Sequence, residues 1–336
     1  MKRFHSHRLG VLGAAAILLV FIIALSLSVG SVQVSLGNIV GILFGKKGER
    51  LPVQIVRNIR LPRTLVGLLV GMNLAVSGVL LQGIIRNPMA SPNIIGVNAG
   101  AGLAAVLVMA LFPSRIGFIP PSSFIGALGA ALTINALANS KGGGRKSTVY
   151  IVLAGVAVSN LLNAGTSALM IIYSDILEVS YSWLLGSLSG RSWSSFALIW
   201  PYSLAGLAFA LFLSPKINLF SLGDDVASSV GLSVRLYRFL ALLLAAVLAG
   251  SAVSVTGTIG FVGLIAPHAA RLLVGNDHRY ALPLSALLGA ILLILSDTFA
   301  RTLFSPVELS VGIITSLLRA PFFLFLLFRK RKASVL

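Results

Sequence analysis

The chain has no cysteine, only eight acidic residues, and charged side chains at just 10% of its 336 positions. A soluble surface needs about a quarter of its residues charged, so these scarcities exclude a soluble globular domain. Without cysteine there are no disulfides, no thiolate-held zinc, no iron–sulfur cluster and no thiol catalysis. The four histidines, His5, His7, His268 and His278, form no ligand-spaced pair on an apolar helix, so no metal site is expected. Phosphate-binding loops are missing too. Gly142-Gly143-Gly144-Arg145-Lys146-Ser147 lacks the required glycine spacing, and Gly41 to Lys47 fails in the same way. Any ATP the protein depends on must be hydrolysed by another chain.

What the chain has in excess is apolar residues, 57% of the total. A bilayer-spanning helix takes about 20 residues, so ten spans use about 200 and leave only short connections. Apolar runs predict spans near 9–29, 62–82, 95–112, 119–139, 149–173, 194–213, 236–256, 259–273, 281–300 and 311–328. The expected fold is therefore an all-α integral membrane protein forming a single transmembrane domain over 1–336. Lys2, Arg3 and Arg8 before the first run imitate a signal peptide. The run exceeds the roughly 7–15 residues of a signal core, which favours a retained span.

Twenty-six basic residues against eight acidic ones give a net charge of +18. On a soluble protein that would suggest nucleic acid; here the cations are scattered between apolar runs and read as topology determinants. Alternating the loops places 16 of the 26 on one side, including the N-terminal cations and Arg329 to Lys332. Both termini are then cytoplasmic. Lys46, Lys47, Arg50, Arg57, Arg60 and Arg63 fall on the other side and break the rule.

Arg60-Leu61-Pro62-Arg63 opens one small-residue-rich span and Arg235-Leu236-Tyr237-Arg238 opens another. Pro92 and Pro267 each follow the first arginine of their string by 32 positions. The two strings enter the membrane from opposite sides, the pattern of an inverted repeat with halves at about 60–173 and 235–328. Coincidence in a leucine-rich chain is the competing reading.

Ionisable groups within lipid are costly and therefore informative. Asp297 and Arg301, four apart, would share a helix face as an ion pair. Arg319 lies inside the last span; it either faces a water-filled path or is satisfied by a carboxylate or by helix-end carbonyls. Between about 215 and 234, Ser221-Leu222-Gly223-Asp224-Asp225-Val226-Ala227 and Gly231 predict a short helix. Ser221 or Gly223 would cap it, two acids would sit in its first turn, and Gly231 would end it. A rigid helix on that face suits a soluble partner, although a plain connector fits the same residues.

These strings closely resemble the permease subunits of ATP-binding-cassette importers for iron-siderophores, haem and vitamin B12. The resemblance rests on Arg60-Leu61-Pro62-Arg63, on Gln82 with Arg86-Asn87-Pro88-Met89-Ala90-Ser91-Pro92, and on Gly260 to His268. Asp277-His278-Arg279 and Ser296 to Arg301 extend it over nearly the whole chain. It implies a pore built with a second permease chain, two ATPase subunits that use ATP and magnesium, and an extracytoplasmic binding protein. It further implies docking of that binding protein at Arg60, Arg63 and Arg301, coupling through Leu219 to Gly231, and a cytoplasmic gate at Asn87, Met89, Ser147 and Thr148. Exposed docking cations would explain the breach of the charge rule. Two positions depart from the family pattern: Ser310 replaces a proline and Arg319 replaces a glycine. Two facing Arg319 side chains would repel, which favours a heterodimer, and a cation there suits an anionic cargo such as a ferric catecholate. Haem or cobalamin cargo, or an ion-coupled secondary carrier, are the alternative functions.

Overall fold

A computed structural model describes residues 2–30, 33–43, 50–139 and 147–324. Those residues form helices and no strand, as a lipid-embedded backbone with no water to bond to requires. In chain order the α-helices are α1 (Lys2–Ser28), α2 (Leu36–Leu43), α3 (Arg50–Gln54), α4 (Leu61–Ile85), α5 (Val97–Leu111), α6 (Ile119–Asn139) and α7 (Ser147–Ile172). They continue as α8 (Leu177–Leu185), α9 (Trp193–Phe220), α10 (Asp224–Ser229), α11 (Val234–Thr256), α12 (Val262–Val274), α13 (His278–Thr302) and α14 (Val311–Leu317).

Seven helical segments are long and apolar enough to cross a membrane, and α5, α12 and the segment Val311–Leu324 are shorter apolar helices. Their positions match the ten apolar runs, with three differences. The second run begins earlier, because α3 and α4 join through a π-helical turn at Ile55–Arg60 into one segment, Leu51–Ile85. Pro62 has no N–H for the carbonyl four residues before it, so the ladder shifts register there. The connection after α7 contains α8, which sequence periodicity did not reveal. Finally, α9 continues through Pro215 to Phe220, so the following connection is shorter than expected.

Helices α4 and α11 are enclosed on nearly all sides, whereas α1, α6, α7 and α9 present most of their surface outward. The outward residues include Ile17, Phe21, Ile125, Leu161 and Phe212, a surface that lipid tolerates and water does not. At the centre α4 packs on α13, α11 packs on α6, and α4 and α11 pack on each other. The α4–α13 crossing is close enough that a Cβ on Gly71 would strike the Gly289 carbonyl, and one on Gly289 the Gly71 carbonyl. Gly78 meets the Gly263 carbonyl of α12 in the same way. Lipid gives helices no hydrophobic drive to associate, so backbone proximity of this kind supplies the packing energy instead.

Candidate functional site

Polar and charged side chains gather in two layers. Arg8 and Ser26 lie 18 residues apart on α1, and Asp277 and Asp297 lie 20 apart at and along α13. At 1.5 Å per residue the layers are separated by about 27–30 Å, the thickness of a bilayer's hydrocarbon core.

The layer near the amino terminus joins α1, α9, α10, α11 and α13. Asp277 caps α13 by accepting from the Arg279 N–H at 3.1 Å and accepts from Asn218 Nδ2 at 2.8 Å; Arg8 stands 3.8 Å away. Burial raises the Asp277 carboxyl, but those hydrogen bonds and the neighbouring arginines outweigh it and hold the group below its ordinary value. Asp224, in the first turn of α10, takes both oxygens to Arg238 Nη2 at 2.8 Å, and the Arg238 guanidinium lies 5.5 Å over the Phe220 ring. The short helix is thereby clamped to the base of α11.

Its limits follow the sequence closely. Gly223 at φ 99° is the N-cap, Asp224 and Asp225 fill the first turn, and Gly231 at φ 85° follows the end. Ser221 is not the cap, since its hydroxyl donates to the Asn218 carbonyl instead. Ala227 faces inward, while Leu222, Val226 and Val230, four apart, are exposed along one side. Asn87 and Met89 belong to the same layer and are exposed in the turn after α4, where Asn87 Oδ1 accepts the Met89 N–H at 2.8 Å. Ser147 and Thr148 open α7, and their side chains lie outside the described residues.

The distal layer differs from expectation in the exposure of its arginines. Arg60, Arg63 and Arg301 are only 4%, 7% and 8% exposed. They are held by groups of this chain and form no protruding cationic surface. Arg60 donates to the carbonyls of Leu27 and Ser28 at 2.8 and 3.1 Å, the helix-end oxygens of α1 that lack an intrahelical donor. Arg63 donates to both Asp297 oxygens at 2.9–3.2 Å and to Glu308 Oε2 at 2.9 Å. The pair Asp297–Arg301 exists, but at 4.0 Å; the principal partner of Asp297 is Arg63, and Arg301 donates to the Ser26 carbonyl and hydroxyl. Guanidinium groups at this depth are stable only with acceptors around them, and intrachain oxygens provide those acceptors. Burial raises the Glu308 carboxyl, yet Arg63 outweighs that and holds it below the ordinary value. Its contribution is therefore present above the ordinary carboxylate range and is lost as pH falls through the lowered value.

Two helices expose polar groups between the layers. On α7, Asn160, Asn163 and Ser167 are exposed at spacings of three and four, and on the segment after α14 Arg319 is exposed. Arg319 has no carboxylate beside it among the described residues; its guanidinium lies 4.8 Å over the Phe261 ring. The α7 stripe was missed in the sequence, although polar residues at i, i+3 and i+7 within an apolar run were the available signal.

A helical bundle with polar layers one bilayer apart, lipid-facing flanks and polar faces at membrane depth is a multi-pass permease of the cytoplasmic membrane. Its sequence matches the FecCD transport family model over residues 18–329, and the chain belongs to that family. The Fe(3+)-citrate import system permease protein YfmE of Bacillus subtilis is 39% identical over 94% of both chains. YfmD, a permease protein of the Fe(3+)-citrate import system in the same organism, is also 39% identical, over 97% of this chain and 96% of its own. A solved inward-facing structure of an ABC transporter of the metal-chelate type superposes with a TM-score of 0.83 at 33% identity, covering 95% of this chain and 99% of its own.

Proposed function

We propose that this chain is one of two permease chains of an ATP-driven importer that carries an anionic ferric siderophore into the cytoplasm. The observation that carries this reading is the exposed polar face of α7 together with Arg319. Unpaired amides and a guanidinium against lipid cost several kcal/mol, so these faces belong on a water-filled path that a second chain completes. The ten apolar helices then span the membrane with the proximal layer and both termini inside, the arrangement favoured by the distribution of basic residues. The reciprocal packing of α4 on α13 and of α11 on α6 supports two halves of opposite orientation.

The short helix α10 then meets a cytoplasmic ATPase, with exposed Leu222, Val226 and Val230 offering an apolar edge and Asp225 a charge. ATP and magnesium belong to that partner, and this chain holds no cofactor. Asn87 and Met89, with Ser147 and Thr148, form the inner gate. A binding protein docks on the distal face. There Arg60, Arg63 and Arg301 act from just beneath the surface, steering acidic groups over the roughly 8 Å Debye length. A heterodimer is favoured by the exposure of Arg319, and the two distinct Fe(3+)-citrate permeases of one bacterium offer a precedent. Asp297, the carboxylate that an ion-coupled carrier would need, is locked to Arg63, which disfavours secondary transport.

Arg319 gives the test of cargo charge. Arg319→Gly should raise the half-saturating concentration of a ferric tris-catecholate by about tenfold in ATP-loaded vesicles, the loss of one charge-assisted contact. Unchanged affinity and rate would remove the catecholate assignment while leaving the importer intact.

A further inference from the structure

Arg191 lies in the connection between α8 and α9, in the distal layer. Arg60, Arg63 and Arg301 each donate to intrachain oxygens through a terminal guanidinium nitrogen, although the Arg301 Nε is itself buried without a partner; Arg191 is half-buried, and its Nε is buried with no hydrogen-bond partner among the described residues. Burial alone pushes its guanidinium down from the ordinary value, with no carboxylate holding it up. A buried N–H without an acceptor is destabilising, and such a group persists where a ligand supplies the missing acceptor.

The surroundings have the shape for one. Arg191 lines a cavity of about 500 Å³ whose other walls include Trp183, Thr256, Ser187, Ser189 and Glu178. That volume falls in the 300–1,000 Å³ range of small-molecule sites. Trp183 offers an aromatic wall, and two serines offer rotatable hydroxyls. Glu178 is exposed and can accept from a ligand hydroxyl, but contributes nothing that stabilises the charge of Arg191.

Three parts of the chain meet beside the cavity. The Ser187 N–H donates to the Thr256 carbonyl of α11 at 2.8 Å, and the Gly312 N–H of α14 donates to the Gly186 carbonyl at 3.1 Å. A guest here would touch α8, the connection after it and the end of α11.

We propose that this cavity is a distal subsite for the cargo chelate and that Arg191 binds an anionic oxygen of it, carboxylate or catecholate. The inference rests on the importer reading and adds to it the residue that selects for charge. The Nε is buried at the wall of the cavity, which favours a small guest that enters the cavity over a carboxylate carried on a docking protein's surface.

The test is equilibrium binding of radiolabelled ferric chelates to the purified complex in nanodiscs, with ferric citrate, a ferric tris-catecholate and a neutral ferric tris-hydroxamate as probes. Arg191→Gln should weaken one or both anionic probes by about tenfold or more and leave the neutral probe within about twofold. Arg191→Lys should recover part of that loss, and the anionic probe that responds identifies the oxygen type. Lysine recovery also separates the site from a folding defect. Unchanged anionic affinity in Arg191→Gln, or equal loss for all three probes, overturns the proposal. So does a parent complex that binds neither anionic probe, or a variant whose only defect is capture of the binding protein. Absence of ATP-driven uptake of every chelate by the parent would count instead against the importer itself.

Discussion

Asp297→Ala should be the most destabilising single substitution in the distal layer, lowering folding stability by about 3–5 kcal/mol. Asp297 is 4% exposed, receives three donor contacts from Arg63, and lies 4.0 Å from Arg301. Removing it leaves two buried cations with only the partly exposed Glu308 and neutral oxygens to balance them. The cost comes from the uncompensated charge, so removing a cation with it should help. An Arg63→Met, Asp297→Leu double variant should recover most of the loss. Thermal unfolding of the purified protein in detergent, followed by tryptophan fluorescence, reads both effects. If Asp297→Ala melts within a degree or so of the parent, the buried network is not what holds α4 to α13. Charge reversal at Arg60 or Arg63 belongs to the same class: it should disturb the fold as well as any docking, so a pull-down must be read beside a melting curve.

A second large effect is expected at the proximal layer. Asp224 and Arg238 tie α10 to α11 through a bond whose partners are 10% and 21% exposed at their side chains, Arg238 being the more buried. A short helix can transmit a push only if it does not swing on its own connections, and this pair removes that freedom. Arg238→Ala and Asp224→Ala should each reduce chelate uptake by about tenfold while chelate-stimulated ATP hydrolysis continues, a loss of coupling of about 1.4 kcal/mol or more. The exchanged pair Asp224→Arg, Arg238→Asp should regain part of the uptake. Uptake and hydrolysis falling together, with no recovery on exchange, would mean that the pair serves assembly and not transmission.

The two layers also separate what a sequence can say from what it cannot. The α10 helix was legible almost residue by residue, because Gly223, the acidic first turn and Gly231 act within a few positions of one another. The apolar runs were legible for the same reason: length and composition are local quantities, and lipid imposes them directly. The partners of the arginines were not legible. Arg63 and Asp297 are 234 positions apart, and nothing near either residue tells of the other. Arg301 lies four residues from Asp297, so the local rule found that pair and missed the stronger one. Arg60 was read as exposed because the family resemblance implies docking there; only the approach of the α1 carbonyls, a tertiary event, buries it. Helix α8 escaped because Leu177 to Leu185 is short and mixes polar with apolar residues. The recess at Arg191 depends on how three distant segments meet, which no motif encodes.

The proposed role, one of two chains forming the pore of an ATP-driven chelate importer, can be examined in the native assembly. It is tested most directly by affinity purification from the native membrane, identification of the co-purifying chains, and assay of ATP hydrolysis with a panel of ferric chelates. Recovery of an ATPase and a second permease chain, with one anionic ferric chelate on its binding protein stimulating hydrolysis, is the expected result. Recovery of the chain without any ATPase, together with uptake that follows the proton gradient and ignores ATP, would contradict it.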